Sequence, residues 1–194
     1  MKKILLTVIL ATSALCAFAQ PRSMGLRVGV SGFEVDYLHT FANKNQFLEG
    51  NFGIDFGYNA KGGPGVKATA VYNFVWARPA WTDKGSWALY AGPGLSMGYV
   101  NDQDFIIVGK EVVPYLSNGF MLGICGQVGL EYTFWFPLQL AVDLRPVFGL
   151  HVNGGYNYTD LINPEITHKS PVKTGFYDNG LLGFVPSISV RYRF

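Results

Sequence analysis

The sequence predicts an all-β protein: an eight-stranded antiparallel transmembrane up-and-down β-barrel, preceded by a cleaved signal peptide. Three observations predict this fold. The chain begins with a short apolar segment that follows two lysines, and most of the remainder alternates apolar with polar residues. The links between the alternating segments are short at one end of the predicted barrel and long at the other.

The N-terminal stretch "MKKILLTVILATSALCAFAQ" has the features of a secretory signal peptide. Two lysines precede an apolar run that is too short for a comfortable membrane-spanning helix, and the small residues Ala17 and Ala19 mark a cleavage site. We expect residues 1–19 to be removed and residues 20–194 to form the barrel domain. Lipidation at Cys16 is the less favoured reading, because Leu15 stands where a lipoprotein signal has a small residue.

The charge and cysteine content of the mature chain exclude several functions. Without Lys2 and Lys3 the 15 basic residues become 13, which equals the number of acidic residues. A neutral chain with no Lys/Arg cluster predicts no nucleic-acid partner. Cys125 is the single mature cysteine, so neither a disulfide within the chain nor a cysteine-based zinc site is expected. Three scattered histidines have no metal-ligand spacing, and we expect no metal and no cofactor.

The alternation has a period of two, which is the period of a β-strand with one apolar face. No segment after the signal has the roughly 18 continuous apolar residues of a membrane helix. The alternating segments are Leu48–Tyr58, Val66–Trp76, Trp87–Tyr99, Leu122–Phe134, Leu138–Leu150 and Leu182–Phe194.

The first stretch, residues 24–41, can form one long strand or two strands joined at Ser31-Gly32. The two-strand reading places Val28 opposite Val35 on one face and Arg27 opposite Asp36 on the other. Because both faces are then satisfied, the hairpin is favoured and the strand count becomes eight.

With eight strands, both chain termini lie at one end of the barrel. The links Ala42–Asn45, Arg78–Ser86 and Trp135–Phe136 fall at that end and are short or moderate. The long links, residues 100–118 and 151–180, fall at the other end. Short periplasmic turns and long external loops are typical of bacterial outer-membrane barrels.

Two groups of residues follow from this assignment. Trp residues gather at membrane interfaces, and all four lie in or beside the short links. The predicted interfacial aromatics are Trp76, Trp81, Trp87 and Trp135.

The charged strand residues fall on the polar face of the alternation and are predicted to fill the barrel lumen as a salt-bridged network. They are Arg27, Glu34, Asp36, Glu49, Asp55, Lys67, Glu131, Asp143, Arg145, Arg191 and Arg193. A soluble sandwich or a lipocalin-like barrel is the alternative, in which the charged face would be solvated.

The chain resembles the small bacterial outer-membrane β-barrel proteins, of the type of the OmpA membrane domain and OmpX, and above all those of the Bacteroidota. The pieces that carry the resemblance are "GLRVGVSGFEVDY", "YAGPGLSMGY", "GQVGLEYTFWFPLQLAVDLRP" and the terminal "SVRYRF". It implies a Gram-negative cell outer membrane as the location, with membrane lipids as partners. It also implies that Ile188, Val190, Tyr192 and Phe194 form the signal read by the outer-membrane assembly machinery.

The function expected from the sequence is a non-enzymatic one, structural or surface-binding, with an external ligand at residues 100–118 and 151–180. Two alternatives remain open: a lipid-modifying enzyme, either an acyltransferase or a deacylase, and a small pore. Catalysis by a Ser-His-acid set needs a nucleophile within hydrogen-bond reach of its base. The residues from which such a set would be drawn are His151, His168, Ser170, Asp160, Glu165 and Asp178. They are ordinary loop residues, and no catalytic residue is assigned.

Overall fold

A computed structural model describes residues 22–57, 63–108, 111–153, 157–159, 167–169 and 172–194, with backbone alone over 103–108, 111–117, 157–159 and 167–169. The strands are β1 Arg22–Gly29, β2 Gly32–Thr40, β3 Gln46–Asp55, β4 Gly65–Ala77, β5 Ser86–Val108, β6 Glu111–Thr133, β7 Leu138–Leu144, β8 Val147–Asn153, β9 Asn157–Thr159, β10 Thr167–Lys169, β11 Lys173–Phe176 and β12 Ser187–Arg193. A 3₁₀ helix, Asp178–Phe184, precedes β12. No helix among the described residues has the length and apolarity needed to cross a membrane.

The strands close into an eight-stranded antiparallel barrel, which confirms the all-β barrel architecture and its strand number. β1 to β6 pair in chain order, β6 pairs with β7, and β7 pairs with β12. The circle closes where β12 pairs with β1, from Ser23 opposite Arg193 to Val28 opposite Ile188. β12 is thereby paired on both of its sides, with β1 and with β7, which closes the wall.

The start of β1, the C-terminal residue Phe194 and the links 41–45, 78–85 and 134–137 lie at one end of the barrel, which we call the terminal end. We call the other end the distal end. It carries the turn between β1 and β2, the link between β3 and β4, and the segment between β8 and β11. The longest link, between β8 and β12, lies at the distal end as the sequence predicts, whereas β1 and β2, and β5 and β6, are joined there by two residues each.

The seventh barrel strand is interrupted. β7 ends at Leu144 and β8 begins at Val147, and the two residues between them are Arg145 and Pro146. β7 pairs with β12, whereas β8 pairs with β11. Pro146 has no N–H to donate to a neighbouring strand, which accounts for a break in the ladder at this point.

The 3₁₀ helix Asp178–Phe184 fills the break, so the prediction of a last strand over Leu182–Phe194 is wrong at its start. The strand begins at Ser187. A Cβ on Gly180 would lie 1.9 Å from the Val147 carbonyl oxygen, and one on Gly183 would lie 2.0 Å from the Arg145 carbonyl oxygen. The two glycines therefore let the helix backbone pack directly on the interrupted strand.

The first stretch is a hairpin, as predicted, but its register differs. The turn residues are Val30 and Ser31, and Gly29 pairs with Gly32. Arg27 consequently lies opposite Glu34 rather than opposite Asp36. The physical reason is space, because a Cβ on Gly32 would lie 1.9 Å from the Ile54 carbonyl oxygen on β3. Gly32 therefore fits a strand position beside β3, where a side chain has no room. A position in the turn would not require a glycine.

The prediction of a long loop over residues 100–118 is also wrong. β5 and β6 each continue for 23 residues and stay paired up to Val108 opposite Glu111. Beyond Tyr99 on β5 and Gly119 on β6 they pair only with each other. The polar run "NDQD" breaks the alternation without breaking the strand, because a ribbon that projects past the wall has no need of one apolar face.

The predicted loop 151–180 contains strand segments. β8 continues to Asn153, β9 pairs with β10, and β11 pairs with β8 from Leu150 opposite Phe176 to Asn153 opposite Lys173. The rest of this stretch lies outside the described residues, apart from Val172, Tyr177 and the helix that follows Tyr177.

Candidate functional site

The barrel interior contains a network of charged side chains. Ten of the eleven residues predicted for the lumen are joined by ion pairs, four of them basic and six acidic. They are Arg27, Lys67, Arg145 and Arg191, with Glu34, Asp36, Glu49, Asp55, Glu131 and Asp143. Arg193, the eleventh, is exposed at the terminal end, because β12 ends there and the lumen opens to solvent.

Arg27 and Arg145 share Glu34 at one side of the network. Arg27 donates to Glu34 Oε2 at 3.0 Å and to Asp143 Oδ1 at 2.7 Å. Arg145 Nη1 lies 3.4 Å from Glu34 Oε2, and Arg145 Nη2 donates to Glu49 Oε1 at 3.1 Å. The contacts link β1, β2, β3 and the interrupted seventh strand across the interior.

Arg191 on β12 lies between three carboxylates. Its Nε donates to Asp36 Oδ2 at 2.6 Å, and its Nη2 lies 3.2 Å from Glu49 Oε1. Glu131 Oε2 is the third partner, 3.8 Å from Nη1. Because Glu49 contacts both Arg191 and Arg145, the ion pairs of the last strand are continuous with those of the seventh.

Neutral side chains complete the polar interior, and the sequence argument missed them. Asn73 donates to Gln127, and Gln127 donates to Glu49. Thr69 and Ser96 share a hydrogen bond of 2.9 Å. The alternation places these residues on the inward face of their strands, but the predicted lumen set contains charged residues alone.

Two apolar clusters also lie inside the barrel. One consists of Val71, Val100, Met121, Cys125, Val147 and Tyr177. The other consists of Leu38, Phe47 and Tyr90, with Val75 packed against it. Cys125 is buried in the first cluster, which agrees with a packing role. Side chains therefore fill the interior, as eight strands allow.

The distal mouth of the barrel is covered by the segment from Tyr177 to Phe184. Asp102 on β5 accepts hydrogen bonds from the backbone N–H groups of Asp178 (2.9 Å) and Asn179 (3.1 Å). The Asn179 amide donates to the Asn101 carbonyl. Tyr177 and Asn179 are buried.

Beneath this cover lies a cavity of about 30 Å³, lined by polar residues that include Arg27, Glu34, Lys67 and Arg145. A cavity of that size has room for about one water molecule and for no larger ligand.

The outer face of the barrel is apolar. At the outward alternate positions, the wall strands carry only apolar or aromatic residues, glycine or proline, and none of these positions carries a charge. The positions lie in the ranges 24–28, 33–37, 48–54, 66–76, 87–99, 120–132, 138–152 and 188–192. Many of these side chains are large and exposed, among them Leu26, Phe52, Leu95, Ile124 and Ile188. The molecule thus places charge inside and apolar surface outside, which is the reverse of a soluble barrel.

The predicted interfacial aromatics lie at the terminal end, and three of the four belong to one chain of ring contacts. Trp81 contacts Trp87, Trp87 contacts Tyr132, and Tyr132 contacts Phe134. Phe134 contacts Phe136, which contacts Trp135. A second chain of contacts joins Tyr37, His39, Phe41, Tyr72 and Phe74. Trp76 is 73% exposed.

The four residues predicted as an assembly signal all face outward. Ile188, Val190, Tyr192 and Phe194 are exposed on the outer surface of the last strand. The Phe194 backbone N–H donates to the Arg22 carbonyl at 2.9 Å, and the Arg22 N–H donates to the Phe194 carbonyl at 3.2 Å. Phe194 therefore keeps its backbone in the barrel seam while its ring projects from the wall.

The residues weighed for catalysis are not brought together in the described part of the chain. His151 is buried in the barrel, and its Nε2 lies 3.3 Å from the Val100 carbonyl oxygen. Asp178 begins the 3₁₀ helix. Asp160, Glu165, Ser170 and the side chain of His168 lie outside the described residues. Within the described ranges no group of His, Cys, Asp and Glu has the geometry to hold a metal ion.

Comparison of the chain with family models, with curated proteins and with solved structures gave no match.

Proposed function

We propose that the chain is a non-enzymatic integral protein of a bacterial outer membrane, exported by its N-terminal signal and anchored by its barrel. One observation carries the proposal: the outward positions of every wall strand are uncharged, while ten charged side chains are paired inside. In water, the exposed apolar surface would be far larger than the patches that soluble proteins tolerate.

The dimensions support a membrane. A transmembrane β-strand needs about 9–11 residues when tilted by about 45°. The uncharged outward positions extend over residues 87–99 on β5 and 120–132 on β6, which is long enough to cross the hydrocarbon core. The aromatic contacts at the terminal end match the girdle found where hydrocarbon meets water. We assign the terminal end to the periplasm.

The filled interior supports an anchor rather than a pore. Ion pairs, two apolar clusters and the Tyr177–Phe184 cover occupy the interior, and the cavity among them has room for about one water. The position of His151, bonded to a backbone carbonyl inside the barrel, supports a packing role over a catalytic one. In this proposal the projecting β5–β6 ribbon and the 151–180 segment present binding surface outside the cell.

The experiment that tests the proposal is migration of the protein on an unboiled gel, measured on isolated outer-membrane fractions. A folded barrel should run at a different position from the boiled sample, and the protein should be found in the outer-membrane fraction. Recovery in the soluble periplasmic fraction, or identical migration before and after boiling, would contradict the proposal.

A further inference from the structure

The outer face has a groove at mid-height, and its shape suggests a specific ligand. The groove has a volume of about 470 Å³. Residues from four neighbouring barrel strands line it, among them Phe74, Trp76, Ala91, Pro93, Gly126 and Pro146. It is hollow because small residues and prolines occupy its outward positions. A second hollow of about 500 Å³ lies on the same outer face around Gly50 on β3, away from Arg78 in the link that follows β4.

Gly126 forms the floor of the groove. A Cβ built on Gly126 would meet no heavy atom of the described residues within 4 Å, so the space directly above this residue is open in that part of the chain. Gly126 pairs with Pro93 on β5, and its N–H donates to the Pro146 carbonyl at 3.2 Å. The groove therefore lies beside the interruption of the seventh strand, where Pro146 and the break in the ladder keep the wall recessed.

The height of the groove restricts its ligand. Pro93 is the central residue of the uncharged stretch 87–99, and Gly126 is the central residue of 120–132. In a membrane this level is the middle of the hydrocarbon, where only the far parts of acyl chains are found. Trp76, on the terminal side of the groove, is largely exposed and forms a wall that leads toward the terminal end.

The charges at the terminal end complement a lipid phosphate. Lys44, Arg78, Lys84 and Arg193 are exposed there, whereas Asp83 is the only exposed acidic side chain among the described residues of that end. Arg78 follows Trp76 by two residues, and its guanidinium donates to the Lys44 carbonyl, which places two cationic residues together. The five residues from Phe74 to Arg78 span about 13 Å along the strand. At a tilt of about 45° this is about 9 Å of depth, more than half of the roughly 15 Å that one leaflet contributes to the hydrocarbon.

We propose that the groove binds one acyl chain of a phospholipid from the leaflet at the terminal end, with the lipid phosphate held by Arg78 beside Lys44. The inference rests on the proposed membrane location and adds a bound lipid to it. This lipid would bind to strands β4 to β7, and it would stay bound while the neighbouring membrane lipids exchange.

The test uses purified protein refolded in vesicles of phosphatidylethanolamine and phosphatidylglycerol. A trace of phosphatidylglycerol carries a photoactivatable diazirine at the end of one acyl chain. After irradiation, mass spectrometry maps the labelled peptides. We expect label concentrated on residues 72–76, 91–93 and 126–128.

Two variants test the two parts of the site. Gly126→Leu places a side chain in the groove, where an added Cβ meets no heavy atom within 4 Å, and should abolish the concentrated label. Its matched control is Gly50→Leu on β3, where an added Cβ likewise meets no atom within 4 Å, and this variant should keep the label. Arg78→Gln should lower the labelled fraction, whereas Arg193→Gln, on the opposite side of the barrel, should leave it unchanged.

Label spread evenly over the outward residues of all strands, or label unchanged in Gly126→Leu, would overturn the acyl-chain site. Unchanged labelling in Arg78→Gln would overturn the phosphate contact. The gel-migration assay on the same samples separates these results from failure of the barrel proposal, because a protein that does not insert shows no difference between boiled and unboiled samples.

Discussion

The Arg191 guanidinium binds the Asp36 carboxylate across Gly25, with 2.6 Å between Nε and Oδ2. Gly25 on β1 pairs with Asp36 on one side and with Arg191 on the other. A Cβ on Gly25 would lie 1.9 Å from the Val190 carbonyl oxygen, so this inward position admits no side chain. The two charged side chains therefore meet over a bare stretch of β1 and connect the last strand with the second.

Replacing Arg191 should destabilise the barrel more than replacing Asp36. Arg191→Met leaves Asp36 without an ion pair among the described residues, and an unpaired buried charge costs about 3–5 kcal/mol. Asp36→Asn should cost less, because Arg191 keeps Glu49 and Glu131. Urea unfolding midpoints in lipid vesicles measure the difference, with the exposed Asp83→Asn as the unaffected control. A larger effect for Asp36→Asn would contradict the network as described.

The purified protein should show no stable open channel in planar lipid bilayers. Ion pairs and apolar clusters fill the interior, and the cover over the distal mouth is bound by Asp102. Asp102→Ala should loosen that cover without producing a channel, because the network below it is intact. Steady single-channel conductance of the unmodified protein would favour the small-pore alternative.

Phe194 should matter for assembly in cells more than for stability. Phe194→Asp retains the two backbone hydrogen bonds with Arg22 and changes only the outward ring. We therefore expect normal refolding in vesicles and poor incorporation into the outer membrane of cells, whereas deletion of Phe194 should impair both. Equal amounts of folded Phe194→Asp and unmodified protein in the outer membrane would show that the ring is not read as a signal.

The orientation of the barrel can be measured with introduced cysteines. Cys125 is the only cysteine of the expected mature chain and is buried, so labelling reports on the introduced residue. On intact cells a membrane-impermeant maleimide should label Lys110→Cys, between β5 and β6, and spare Asp83→Cys at the terminal end. The reverse pattern would place the terminal end outside the cell.

Lipid profiles test the enzyme alternative. Because His151 bonds to the Val100 carbonyl inside the barrel, His151→Ala should leave the lipid A and phospholipid composition of expressing cells unchanged. The same is expected of Ser170→Ala. Mass spectrometry should detect no change of one acyl chain that depends on the protein. Such a change, present with the unmodified protein and lost in either variant, would make a lipid-modifying enzyme the better interpretation.

The inward set was predictable because it depends on parity alone, whereas the strand count also required residues 24–41 to form a hairpin. A period of two assigns each residue to a face whatever the register, so Arg27 and Asp143 were placed inside before their partners were known. The ion-pair partner of each inward residue depends on the register between neighbouring strands. The Arg27–Asp36 pairing failed because the position of a two-residue turn depends on how β2 packs on β3 at Gly32, which is a contact distant in sequence.

The extent of the strands was less predictable for a different reason. Alternation reports a strand only where one face is apolar, and the β5–β6 ribbon lacks that constraint beyond Tyr99. The 3₁₀ helix at Asp178–Phe184 was missed for the opposite reason. Leu182 and Phe184 continue the alternation of the last strand, but Gly180 and Gly183 pack against Val147 and Arg145, and that packing cannot be read from local pattern.

The eighth barrel strand is short, and this has a mechanical consequence. β12 forms six residue pairs with β1 and six with β7, whereas β5 and β6 form 23 pairs with each other. Under load or denaturant, the wall should part first along β12, where the fewest bonds must break together. The meander from β1 to β6 would survive as an open, curved sheet. The seam that completes the cylinder is thus also its weakest line, and amide exchange in β12 should report opening before any other strand does.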